Sequence, residues 1–240
     1  MLEYYERRNT MKKNLTLVVA VLFLAPAVFA NNWGLGLKVG VGQNDPKDIK
    51  KFDSMLTAPK NSLDEEHFFS GLEAMYEIDL DNESNKIGIR LGYEGFGENK
   101  AEKSAKTISG SLITEEEVSL EEETYAIPVT IYYKKDNGVN KLSYFAGIGA
   151  TFVRSKLTYS EEEEVETIAG IDISETGYSE SLSKGKIFPH IVLGAEYRFT
   201  ELFALGLEAK YNIGAKVKKD GWVLSDRSGI SGALTARFYF

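Results

Sequence analysis

Ten charged residues in this 240-residue chain stand where charge is costly. Lys38, Glu73, Glu77, Arg90, Glu94, Glu196, Arg198, Glu208, Lys210 and Arg237 each lie in a stretch whose every second residue is apolar. Side chains of an extended strand alternate between two faces. The ten therefore share the face opposite the apolar one, as five acids and five bases. Such a set can pair inside a closed interior, where each charge must be matched because an isolated buried ion is prohibitive. It can also line a gated polar path. The residues leave both readings open.

The other candidates for chemistry are weaker. Nucleophilic catalysis needs a nucleophile within reach of a base, and on a strand a partner on the same face lies two residues away. Glu65 and Phe69 flank His67 at that spacing, and Val192 follows His190. Neither forms the His–Ser pair that a lipid deacylase would use, so both histidines read as structural. The runs Glu115-Glu116-Glu117, Glu121-Glu122-Glu123 and Glu161 to Glu164 with Glu166 could offer oxygens to a hard cation. They lack a fixed ligand spacing and read as a solvated, self-repelling extension. Val118 and Leu120 alternate with polar neighbours, which suggests that part of it continues as strand. There is no Cys, hence no disulfide and no thiolate metal site. No catalytic residue, cofactor or metal ligand is assigned.

The elements that must position the ten charges are eight alternating segments: Trp33–Gln43, Phe68–Leu80, Ile87–Phe96, Thr124–Lys134, Leu142–Val153, Ile187–Phe199, Phe203–Gly214 and Ile230–Phe240. None of their apolar-face positions is charged. Each is long enough to cross a bilayer as a tilted strand, and no apolar run after Leu24 would cross as a helix. Only helices and closed barrels satisfy every backbone group in lipid. The expected fold is therefore all-β, an eight-stranded antiparallel up-and-down transmembrane barrel. Its connections alternate between short (81–86, 135–141, 200–202) and long (44–67, 97–123, 154–186, 215–229). Short turns in the periplasm and long loops outside would place both mature termini in the periplasm. Lumen glycines such as Gly36, Gly40, Gly92, Gly149 and Gly206 are expected to make room for long Arg and Lys side chains. By strand position Leu193 faces lipid near mid-membrane, and Gly194, facing the lumen, is expected to tolerate Ser more readily than Leu193 tolerates Arg.

The N-terminus fits export. Met11-Lys12-Lys13 is a positive n-region, Leu15 to Leu24 an apolar h-region, and Val28-Phe29-Ala30 a small-residue cleavage site. Residues 11–30 read as a signal peptide, residues 1–10 as a mis-called start extension, and 31–240 as one barrel domain. The formal charge is −8, and the first thirty residues hold four bases against two acids, so the mature chain carries −10. That excludes nucleic acid as a partner, which needs clustered Lys and Arg.

Two motifs carry a resemblance. Tyr125-Ala126-Ile127-Pro128-Val129-Thr130-Ile131-Tyr132-Tyr133 is similar to the "IP" strand of the generic outer-membrane β-barrel domain. Leu193 to Phe199 followed by Phe203 to Tyr211 resembles a hairpin of the same group. The pattern covers the mature chain and looks like the small barrels of the OmpX, OmpW, OmpA-transmembrane and opacity types. The resemblance implies a bacterial outer-membrane location among lipid and lipopolysaccharide. It also marks Phe238 and Phe240 as the aromatics of a C-terminal signal read by the outer-membrane assembly machinery. Function then reads as a monomeric structural or surface-interaction barrel whose acidic loops meet an extracellular ligand or host surface. A narrow channel for small or hydrophobic solutes is the alternative, and a lipid-modifying enzyme has least support. N-terminal sequencing of the protein from the outer-membrane fraction should begin at Asn31; a start upstream of Ala30 would contradict the processing site.

Overall fold

Strict apolar–polar alternation rich in Val, Ile, Leu and Tyr is satisfied by extended chain, and the structure is built almost wholly of it. The computed structural model describes residues 32–43, 66–80, 84–97, 99–137, 141–169, 172–219 and 222–240. The signal peptide and start extension expected at 11–30 and 1–10, and most of the first long loop, lie outside the described residues. The strands are β1 (Trp33–Gln43), β2 (Glu66–Asp79), β3 (Asn85–Phe96), β4 (Asn99–Ser109), β5 (Leu112–Asn137), β6 (Leu142–Thr167), β7 (Asp172–Arg198), β8 (Phe203–Asn212), β9 (Lys216–Lys219), β10 (Trp222–Asp226) and β11 (Gly229–Tyr239).

Eight of them close into a ring, β1-β2-β3-β5-β6-β7-β8-β11, with β11 pairing back onto β1 and every pair antiparallel. The register shows the tilt that closure requires. The outward row Trp33–Tyr76–Ile89–Ile131–Ile148–Ile191–Tyr211–Ile230 passes from strand to strand. Ser231 stands opposite Gly42, so the row returns to β1 beside Gln43, ten residues above its start. All eight expected segments keep their expected faces. Val39, Ile131, Leu193, Leu207 and Leu234 are each 57–64% exposed, an apolar band that only lipid would cover. At the end carrying the short turns, Trp33–Tyr76, Tyr197–Phe199 and Phe203–Phe238 place ring centroids 5.0, 4.8 and 5.2 Å apart, the aromatic belt of a membrane interface. Asn32 and the C-terminal Phe240 lie at this rim, where Asn32 N donates to Phe240 O at 3.1 Å and Phe240 N to Trp33 O at 2.9 Å.

The loops depart from expectation. Residues 97–123 and 154–186, read as solvated extensions with at most part of a strand, form a four-stranded sheet of β4 and the upper halves of β5, β6 and β7. It holds although Glu115, Glu116 and Glu117 lie directly opposite Glu164, Glu163 and Glu162. Like charges facing one another cost only fractions of a kcal/mol per pair when exposed to water and salt. An unbroken ladder of backbone hydrogen bonds outweighs that cost. Lys106 Nζ offsets part of it, 3.3 Å from Glu115 and 3.9 Å from Glu166. Within 215–229, also read as loop, β9 and β10 pair antiparallel as a β9–β10 hairpin.

The lumen glycines do other work than expected. An added Cβ at Gly36 would meet the Glu73 carboxyl, at Gly88 and Gly149 the rings of Tyr132 and His190, and at Gly194 the ring of Phe145. These glycines mainly seat a carboxylate and flat rings against the wall; at Gly206 an added Cβ would meet Thr235 Oγ1 first and Arg237 Nη1 at 3.4 Å. The space that a serine at Gly194 would need is lacking, because its Cβ would also press within 2.7 Å of Leu207 O. Leu193→Arg should cost about 2–4 kcal/mol as a charge set in lipid, and Gly194→Ser about 1–3 kcal/mol as overpacking. Denaturant titration in lipid vesicles measures both; a neutral Gly194→Ser would contradict the ring contact.

Candidate functional site

The interior is a ladder of ion pairs. Lys38, Glu73, Glu77, Arg90, Glu94, Lys134, Glu196, Glu208, Lys210 and Arg237 are each no more than 6% exposed. That is five acids and five bases, so the buried set is neutral. At its centre the Arg237 guanidinium reaches three carboxylates: Nε donates to Glu73 at 2.7 Å, Nη1 to Glu196 at 3.0 Å and Nη2 to Glu208 at 3.4 Å. Arg90 joins Glu208 by a hydrogen bond and stands 3.3 Å from Glu73. Lys38 donates to Glu208 at 2.8 Å and lies 3.5 Å from Glu73 and 3.6 Å from Glu94. Lys210 bonds the Glu94 carboxylate.

Below this layer, Lys134 Nζ donates to Glu196 at 2.8 Å and Glu77 at 3.2 Å. Tyr239 Oη donates to Glu196 at 2.7 Å, and Tyr132 Oη to Glu77 at 2.9 Å. The aromatic rings also take the cations by face: Arg237 lies 5.0 Å over Phe145, and Arg90 5.8 Å over Tyr132. Successive carboxylates thus hand on to successive cations from Lys210 down to Lys134.

Nine of the ten charged residues singled out in the sequence lie in this ladder, and Arg198 lies at its lower rim. Its guanidinium stacks 4.5 Å over Tyr239 and stands 3.9 Å from Glu196. Lys134 was passed over because it closes a strand segment, although its parity points it inward. Tyr132 and Tyr239 are not among the candidates singled out in the sequence; inward parity is the signal that could have found their hydroxyls.

The half of the barrel away from the short turns is occupied differently. His190 bridges two hydroxyls, Thr130 Oγ1 at 2.9 Å from Nε2 and Thr151 Oγ1 at 2.8 Å from Nδ1. Both ring nitrogens are therefore occupied by threonines rather than by a carboxylate or a serine. His67 packs its ring 5.1 Å from that of Phe96. Above them the β9–β10 hairpin folds down onto the barrel mouth. Ala215, Val217 and Leu224 pack with Leu120, Ala126, Val153, Leu157 and Phe188 into one buried cluster. Arg227 Nη2 donates to Glu122 at 2.8 Å and its guanidinium lies 4.6 Å over Phe96. Burial lowers the Arg227 pKa, with Glu122 opposing the shift, and a guanidinium stays charged all the same. Glu122 and Arg227 could not be found from sequence: one was a member of an acidic run, the other a lone base in a loop.

Chemically the arrangement can hold charge and exclude it. Arg237→Ala should cost roughly 3–5 kcal/mol, since three carboxylates lose a shared partner in a low-dielectric interior. Lys106→Ala, which breaks only an exposed pair, should cost less than about 1 kcal/mol. Unfolding of both variants in lipid vesicles gives the comparison; equal costs would contradict a dry lumen.

A family model described as the outer membrane protein beta-barrel domain matches residues 15–237. No curated protein matches the chain. Among solved structures, the chain is similar to the outer membrane protein OprG from Pseudomonas aeruginosa, with 9% identity over 88% of this chain and 96% of that one at a TM-score of 0.47. It is also similar to Ail, the attachment invasion locus protein of Yersinia pestis, with 12% identity over 87% and 99% and a TM-score of 0.36. For CarO of Acinetobacter baumannii the identity is 11%, over 88% and 98%, with a TM-score of 0.38. The family match spans the closed ring, its ion ladder and its apolar exterior, and the chain belongs to the outer membrane protein beta-barrel domain family of the bacterial outer membrane.

Proposed function

We propose that this protein is a closed, non-enzymatic outer-membrane barrel with a structural or surface-interaction role. The observation that carries the reading is the neutral, fully matched ion ladder beneath an apolar cap. A solute path needs a continuous hydrated route, and Lys38, Arg90 and Arg237 with their carboxylates cross this one. An eight-stranded ring is only wide enough for that.

In this reading the protein's contact with its surroundings is through its walls and loops. The short turns and both termini face the periplasm, and the β4–β7 sheet stands outside, as the habit of such barrels has it. Its carboxylates suit a cationic or metal-bridged extracellular ligand or host surface. Phe238 and Phe240 serve the assembly machinery, residues 11–30 are removed on export, and the closed ring functions as a monomer. Both histidines are structural.

Planar-bilayer recording of the refolded chain tests the reading. Conductance should stay near the bare-membrane baseline. Removing two adjacent central cations, with Arg90→Ala and Arg237→Ala together, should admit water and raise it. Discrete openings of the unaltered protein would contradict closure and favour the narrow channel.

A further inference from the structure

Between its two rims, every described outward side chain of the ring is uncharged. The change comes abruptly midway along β6, just past Phe152. Arg154 and Lys156 follow Phe152 on the lipid-facing side, both exposed. The register sets Arg154 between Tyr125 and Gly185, and Lys156 between Glu123 and Ser183. Tyr125 stacks on Tyr93 with centroids 5.9 Å apart. The row immediately below is Ile127, Phe152 and Ile187. Two bases thus stand on an aromatic ledge directly above an apolar wall.

The same place is hollow. β3 pairs β5 as far as Gly95 opposite Tyr125, and β4 takes over only at Asn99 opposite Glu122. The register on that edge skips Glu123 and Thr124. A cavity of about 400 Å³ opens there, lined by Tyr93, Tyr125, Arg154, Lys156, Ser183 and Glu123 among others. The ties that hold the two bases are weak. Arg154 Nε donates to Ser183 Oγ at 3.4 Å, and Lys156 Nζ to Glu123 at 3.3 Å. Exposed contacts of this kind are worth little. With Glu123 counted, the pocket carries one net positive charge in a chain of −8.

We propose that this pocket binds a phosphate group of an outer-leaflet glycolipid. The guanidinium and ammonium take the phosphate oxygens, the tyrosines sit at headgroup level, and the acyl chains run down the Ile127–Phe152–Ile187 wall. Neither a neutral lipid nor a free anion uses all three features. The assignment of leaflet rests on the orientation proposed above.

The test uses the refolded full chain in detergent micelles, with binding read by native mass spectrometry. Three probes are compared: bisphosphorylated lipid A, its dephosphorylated counterpart and inorganic phosphate. The phosphorylated lipid should bind, and the other two should bind far more weakly. Arg154→Gln with Lys156→Gln should weaken its apparent affinity by about thirtyfold, the strength of two basic side chains at an anionic lipid surface. Heat-dependent gel mobility shows whether the double variant is folded, and both positions are exposed. Equal binding of the dephosphorylated lipid, or an unchanged affinity in the variant, would overturn the site and leave only an apolar contact. Binding of inorganic phosphate as strong as that of the lipid would overturn the glycolipid. A Ser181→Cys chain treated with an impermeant maleimide on whole cells separates the orientation. Labelling with no loss of affinity in the variant refutes the lipid site alone; exclusion of the label refutes the orientation and the leaflet with it.

Discussion

Arg237 holds the interior together because the fold leaves it no alternative. A ring of eight strands with a lipid-facing exterior must send every charge inward, and the inside is too narrow to keep those charges hydrated. One guanidinium on β11 therefore binds carboxylates from β2, β7 and β8 at 2.7, 3.0 and 3.4 Å. Its planar fork and fixed charge suit it to this in a way that a lysine would not. The surrounding bases, Lys38, Arg90 and Lys134, then share the remaining carboxylate oxygens. These partners are as far apart in sequence as Lys38 and Glu208, 170 positions. Pairs such as Arg90–Glu208 and Lys134–Glu196 thereby fix strands that are not neighbours, in addition to the backbone ladder that fixes neighbours.

How much of this was legible follows from the range of each interaction. Alternation is local, and a period of two fixes which face each residue takes; that is why Glu73, Arg90, Glu208 and Arg237 could be set inward from sequence. Pairing across the lumen is not local. The neighbouring strands β8 and β11 bring Glu208 to Arg237 at 3.4 Å, yet Glu73 and Glu196, from strands further off in the chain or the ring, lie nearer to it. Lys134 was hidden by its position at a segment end. The β9–β10 cap was hidden because its apolar residues Val217 and Leu224 are too few to signal burial until the barrel mouth supplies the other half of the cluster.

The acidic sheet shows the opposite error. Runs of glutamate read as solvated loop, since like charges repel and glutamate is a poor strand former. The strands continue because β5, β6 and β7 leave the membrane already paired, so each added residue extends an existing ladder and needs no new nucleus. Exposed carboxylates are solvated and screened, whereas the same groups one membrane-width lower must be matched one for one. A single residue type thus has two roles in this chain, and solvent access decides between them.

A double-mutant cycle on Glu73 and Arg237, with Glu73→Gln, Arg237→Met and the pair measured by denaturant unfolding in lipid vesicles, tests the dry ion ladder most directly. The account predicts a coupling of at least about 2 kcal/mol, with the double variant more stable than the summed single losses imply, because removing both charges strands neither. A coupling below about 0.5 kcal/mol, with the two losses simply additive, would contradict it and mean that water already screens the pair.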